Sequence, residues 1–165
     1  MSTATTDKTT AGIEARILRE GYGENAWHGP DLKTALADVS DATAFWRPGA
    51  GRHNIAEIAL HHAFHARNVR AKLTGVDAEP FILEGDDWFA LEDGSTLTWA
   101  KVREVVALQQ ERLAACADAI SAGRTKSPLP DAERIDLVLG ITCHAIYHAG
   151  QIQLIKRLAG ASSLM

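Results

Sequence analysis

Asp131-Ala-Glu-Arg-Ile-Asp-Leu-Val-Leu-Gly140-Ile-Thr-Cys-His144-Ala-Ile-Tyr-His148-Ala-Gly-Gln-Ile152-Gln-Leu-Ile-Lys-Arg-Leu-Ala159 is the longest helical pattern in the chain. Asp131 suits the N-cap and Gly160 the stop. A helix of roughly 29 residues would span about 43 Å. Leu137, Ile141, His144, His148, Ile152 and Ile155 then share one broad arc, so two imidazoles face the expected core. His144 and His148 are four apart, so their rings lie one above the other, within reach of a single ion. Two histidines do not make a site; a third ligand has to come from elsewhere in the fold.

Working outward, three more principal helices are predicted. The first runs from about Thr10 to Tyr22, weakened by Gly21 and Gly23. After a turn-rich stretch, Asp31 caps a brief helix through Leu36, and Ser40 or Asp41 starts another turn. The second principal helix runs from Ile55 to Leu73, with Asn54 as cap, Glu57 as its capping-box partner and Gly75 as the end. A third runs from Thr98 to Ser121. The segment from Gly75 to Thr98, holding Glu84, Asp86 and Asp87 among Phe81, Trp88 and Phe89, is expected to be a long crossover pinned by its aromatics, its acidic cluster solvated. With neither strand alternation nor an internal repeat, the pattern predicts an all-α four-helix bundle with a long crossover between helices two and three, as one domain over 10–165 behind a flexible tail over 1–9.

Composition narrows the function classes. A net charge of -4, with 46% hydrophobic and 23% charged residues, gives no electrostatic footprint for nucleic acid or an anionic membrane. No apolar run approaches the length of a membrane span, and the first ten residues lack the apolar core of a signal peptide. Cys116 and Cys143 form no metal motif and no disulfide framework, which fits a reducing cytoplasm. Cys143 points about 100° away from His144 and is expected in the core rather than as a nucleophile.

The second helix carries His61, His62 and His65. Its apolar stripe of Ile55, Ile58, Ala59, Ala66, Val69 and Leu73 contains His62, with His61 and His65 on its flank, so spacing alone leaves the third ligand open. A three-imidazole site suits Zn²⁺ or Ni²⁺ and leaves coordination positions open, where such an ion activates water or a thiol or polarises a carbonyl.

These motifs resemble the DinB/YfiT-like superfamily of metal-binding helical bundles. Asn54-Ile-Ala-Glu-Ile-Ala-Leu-His61 is similar to the family's early metal helix, and His144-Ala-Ile-Tyr-His148-Ala-Gly-Gln-Ile152 to its late His-x-x-x-His-x-Gly-Gln-Ile signature. Trp27-His-Gly-Pro30 and the segment through Trp46 also resemble one branch. The resemblance implies His61, His144 and His148 as the metal triad, leaving His62 as a core or subunit-interface residue and His65 as a surface ring or one supporting the ligands. Glu57 is a candidate proton acceptor or ligand-orienting group whose capping role is the favoured reading, and Gln151 either orients the metal site or, the favoured reading, makes an interhelical hydrogen bond. His28 is read as structural and His53 as solvated.

The resemblance further implies a metal-dependent small-molecule enzyme of thiol S-transferase or hydrolase type, with a divalent ion, a low-molecular-weight thiol as possible cosubstrate, and a homodimer. The competing expectation is a non-catalytic dimeric binding protein in which the metal is structural.

Overall fold

In the computed structural model, residues 12–162 are described apart from 24, 25 and 27. The expected tail over 1–9, the first residues of the first helix, and Trp27 of the Trp27-His-Gly-Pro30 motif lie outside them. Six helices and no strand occur among the described residues: α1 (Ile13–Tyr22), α2 (Leu32–Ala37), α3 (Asp41–Phe45), α4 (Ile55–Thr74), α5 (Trp99–Ser121) and α6 (Asp131–Ser162). The fold is all-α, as the periodicity predicts.

Local chemistry sets most of the boundaries. Asp31, Ser40, Asn54 and Thr98 each accept a hydrogen bond from the backbone N–H three residues on, satisfying a donor that the first helical turn leaves unpaired. At α4 the capping box is complete, and Gly75 ends the helix in the left-handed region at φ 68°. Gly160 does not stop α6, which continues to Ser162. A side chain built at Gly160 would meet nothing, so no packing demand breaks the helix there.

Helices α1, α4, α5 and α6 pack as a ring, each against two of the others, with α2 laid on α6 and α3 on α4. Gly21 allows α1 to approach α6 closely, since a Cβ at that position would lie 2.4 Å from Thr142 Cγ2. The Trp99 indole is buried and donates to Val39 O at 2.8 Å, tying the start of α5 to the segment after α2. Every residue from Ile55 to Phe64 is buried, because α5, α6, α3 and the connection after Thr74 surround the first half of α4. That half of the helix has no solvent face.

The connection over 75–98 is ordered by its aromatics. Phe64 of α4 meets Phe81 and Phe89 edge-on, with ring centroids 5.3 and 5.5 Å away, and Phe89 and Leu91 are buried. Leu91 is held on both sides: its N–H donates to Glu57 Oε1 at 2.9 Å and its carbonyl accepts from Asn54 Nδ2 at 2.6 Å. The capping residues of α4 therefore also fix the stretch carrying Asp87 and Trp88.

Candidate metal centre

Two histidine pairs at helical spacing face each other, His61 and His65 from α4 and His144 and His148 from α6. His144 is the hub. Its Nε2 lies 3.1 Å from His61 Nε2 and 3.1 Å from His148 Nε2, and its Nδ1 lies 3.2 Å from His62 Nδ1.

The outer partners decide where the protons sit. Gln110 donates through Nε2 to Leu18 O at 3.0 Å, so its Oε1 is the atom turned to His62 Nε2, 3.4 Å away. His62 therefore carries its proton on Nε2 and accepts at Nδ1 from His144 Nδ1–H. That leaves His144 Nε2 as a bare lone pair. His148 Nδ1 donates to Gln151 Oε1 at 2.6 Å, and His61 Nδ1 donates to the Asp87 backbone carbonyl at 3.1 Å and its Oδ1 at 3.0 Å. Both of their Nε2 atoms are then lone pairs as well.

His144 Nε2 thus faces an acceptor on each side with no proton between them, so neither 3.1 Å contact can be a hydrogen bond in these tautomers. A cation is what such an arrangement accommodates. Two nitrogens on one ion at metal–nitrogen distances of about 2.05 Å lie roughly 3.3 Å apart in tetrahedral and about 2.9 Å apart in octahedral cis geometry. The observed separations fall between these values.

His65 donates from Nε2 to Asp87 Oδ1 at 2.9 Å, which frees its Nδ1. The ligand-capable atoms of His61, His65 and His144 all lie within 4.8 Å of one another, so the compact ligand group contains His65 where the resemblance implied His148, and His148 reaches it through its contact with His144. His148 is 3% exposed, whereas the His65 side chain is 38% exposed at the rim.

The electrostatics suit neutral ligands. Burial first, then the neighbouring His148 and His62, push His144 down to about 2. Burial pushes His148 to about 4 against the opposing pull of Gln151, and His62 to about 3 against that of Gln110. Burial also lowers His61, against its bond to Asp87. The folded values of His62, His144 and His148 lie well below the ordinary one of about 6.5, so between that pH and about 4 the unfolded chain binds protons at these three that the folded chain does not. The metal-free protein should keep its full stability above pH 6.5 and lose it as pH falls through this window, by about 1.4 kcal/mol per pH unit for each such group. Chemical denaturation at pH 7 and pH 5 checks this; equal stabilities would contradict neutral burial of the cluster.

Several residues differ from their expected roles. Asp87 is not simply solvated: its carboxylate holds both His61 and His65, while Glu84 and Asp86 are exposed. Trp88 is sandwiched between His61 and His53, with ring centroids 3.9 and 3.7 Å apart, so His53, exposed as expected, is also stacked and bonded to Glu57 Oε2 at 3.0 Å. Gln151 bonds within its own helix, to His148 and to the Tyr147 hydroxyl, so of its two expected roles it takes the orienting one and does not bridge helices. His62 is a core histidine, and it also orients His144. Cys143 is exposed rather than in the core, because it lies on the outer side of α6. His28 is exposed. Glu57 is 3% exposed, with its oxygens engaged by Arg47, Leu91 N–H, Asn54 N–H and His53. Burial raises its pKa, but the bonds to Arg47, Leu91 and His53 outweigh that and hold the carboxyl below its usual range.

Asp87, Trp88 and Gln110 were beyond the reach of sequence spacing. They come to the histidines from the 75–98 connection and from α5, and only the Asp-Asp-Trp cluster hints at two of them.

A family model described as the DinB superfamily matches residues 25–152. No curated protein and no solved structure matches the chain.

Proposed function

The chain belongs to the DinB superfamily, and on that premise we propose that it is a metal-dependent small-molecule enzyme whose divalent ion is held by His61, His144 and His148. The observation that supports this reading is that the His144 Nε2 lone pair lies 3.1 Å from Nε2 of both His61 and His148, with His65 beside His61 and His144. Zinc or nickel fits three neutral imidazoles. When bound, such an ion supplies a Lewis acid that activates a thiol or water for attack on an electrophilic substrate.

The chain's own residues do the positioning. Asp87, Gln151 and the Gln110–His62 relay fix the ligand tautomers, and Trp88 covers the face of His61. His148 also lines a cavity of about 460 Å³, which gives a substrate access to the centre. His65 stands at the rim as the candidate fourth ligand.

Assaying the metal-loaded protein with low-molecular-weight thiols and electrophiles tests the chemistry. Metal-dependent conjugation or hydrolysis is expected, and turnover indifferent to chelation would reject the mechanism. The ligand choice has its own test: His61→Ala should weaken zinc binding at least about tenfold more than His62→Ala, since an outer partner is worth only about 10- to 100-fold. The reverse ranking would make His62 the ligand.

A second reading, a non-catalytic homodimer with a structural metal, is favoured by the outer face of α6. Ile135, Leu139, Tyr147 and Leu154 are exposed there, an apolar stripe unusual for a solvent face. Leu139→Glu should turn a dimer into a monomer in sedimentation; an unchanged mass would remove α6 from the interface. The two free cysteines, Cys116 and Cys143, fit the proposed cytoplasmic setting.

A further inference from the structure

The cavity beside His148 has a composition that specifies its ligand more narrowly. Its wall is apolar and aromatic on one side, with Ile58, Leu154, Ile155, Trp88 and Tyr147, and Arg52 carries the only permanent charge on it. A second cleft, of about 390 Å³, shares Arg52, His53 and Trp88 with the first, so the arginine stands where the two meet.

Arg52 and the nearby Arg47 are used differently. The Arg47 guanidinium is committed: it donates to both oxygens of Glu57, at 2.9 and 2.5 Å, to Glu92 at 3.2 Å and to the Arg52 backbone carbonyl at 2.7 Å. That last bond fixes the turn from which Arg52 projects, and Arg52 N–H donates back to Gly49 O at 3.2 Å. The Arg52 side chain itself has no carboxylate or hydrogen-bond partner among the described residues. The turn is held by one arginine while the next is left with its five donors unused, on the wall of a ligand-sized cavity.

We propose that Arg52 anchors the acidic group of a small organic anion whose apolar body lies against Tyr147 and Leu154 and whose far end faces His148. The planar guanidinium fork suits a carboxylate, sulfonate or phosphate, and the uncharged remainder of the cavity wall suits a hydrocarbon or aromatic body. Calling that far end the reacting end rests on the metal-centre reading above; recognition of the anion does not.

Naphthalenesulfonate, naphthalenemethanol and naphthalenemethylamine share a ring system and differ in charge, and the sulfonate is a poor metal ligand, so a preference for it reports on the arginine. Calorimetric titration of the zinc-loaded full chain should show the sulfonate binding at least about tenfold more tightly than the alcohol. Arg52→Gln should bring the two within about twofold of each other at unchanged zinc content, and Arg52→Glu should favour the amine. Equal binding by the wild type, or a preference that survives Arg52→Gln, overturns the anion site while leaving the metal centre intact. A sulfonate preference dependent on Arg52 in a chain that retains no zinc supports the anion site and refutes the metal centre.

Discussion

His144→Ala abolishes stoichiometric divalent metal binding: after loading with zinc and dialysis, the wild type retains about one ion per chain and the variant loses at least about a hundredfold in affinity. The size of the effect follows from the position of His144. Its Nε2 is the atom shared by both 3.1 Å contacts, while its Nδ1 connects the centre to the buried His62–Gln110 relay. Alanine removes one donor and leaves His61 and His148 without their common neighbour. His148→Ala should abolish binding likewise.

The loss should also appear in stability. An ion at about 100 times its dissociation constant stabilises the folded chain by roughly 2.7 kcal/mol. For a chain of this length that raises the melting midpoint by about 5 to 10 °C. Zinc should move the wild type and leave His144→Ala in place. Retention of a full equivalent of zinc by the variant would show that the ion sits elsewhere.

Glu57→Ala is expected to be the most destabilising single change near the site, by about 3 kcal/mol, because it leaves buried partners uncompensated. The carboxylate caps α4, accepts from Leu91 N–H at 2.9 Å and pairs with Arg47 at 2.5 Å, so it joins the helix start, the connection and the turn before α4. The melting midpoint should fall by about 6 to 12 °C. Because the Leu91 anchor positions Asp87 and Trp88, zinc affinity should fall too, by less than about tenfold, well short of the loss in His144→Ala. Glu57→Gln, which keeps the volume and one acceptor, should recover part of the stability. A Glu57→Ala protein as stable as the wild type would show that the pairing contributes nothing.

How far these features were legible in the sequence follows from how local their causes are. Asn54 with Glu57, Asp31, Ser40 and Thr98 were readable as helix starts because a cap is a contact three residues long. His144 and His148 were legible for the same reason, since helical spacing alone places them on one face. The choice between His61 and His62 was not. A stripe identifies the inward face only when a helix has an outward one, and the stretch from Ile55 to Phe64 is buried all round. Cys143 failed for the converse reason: α6 is apolar on its exposed side as well, so an apolar neighbourhood did not signal burial. Glu84, Asp86 and Asp87 are equivalent as sequence, and what turns Asp87 inward is the fixing of Leu91 to the start of α4. Gln110 is placed by a bond to Leu18 O across 92 residues of chain, which no spacing rule reaches.

The proposed ligand set of His61, His144 and His148 is tested most directly by long-range nitrogen–proton NMR of the imidazoles, in the metal-free protein and after one equivalent of zinc. His61, His144 and His148 should each carry the proton on Nδ1, the minor tautomer of free histidine, and His62 on Nε2. Zinc should then shift the three Nε2 resonances together while the Nδ1 protons stay in place. A proton on Nε2 of any of the three in the metal-free protein, or Nε2 resonances unmoved by zinc, would contradict a centre built from these residues.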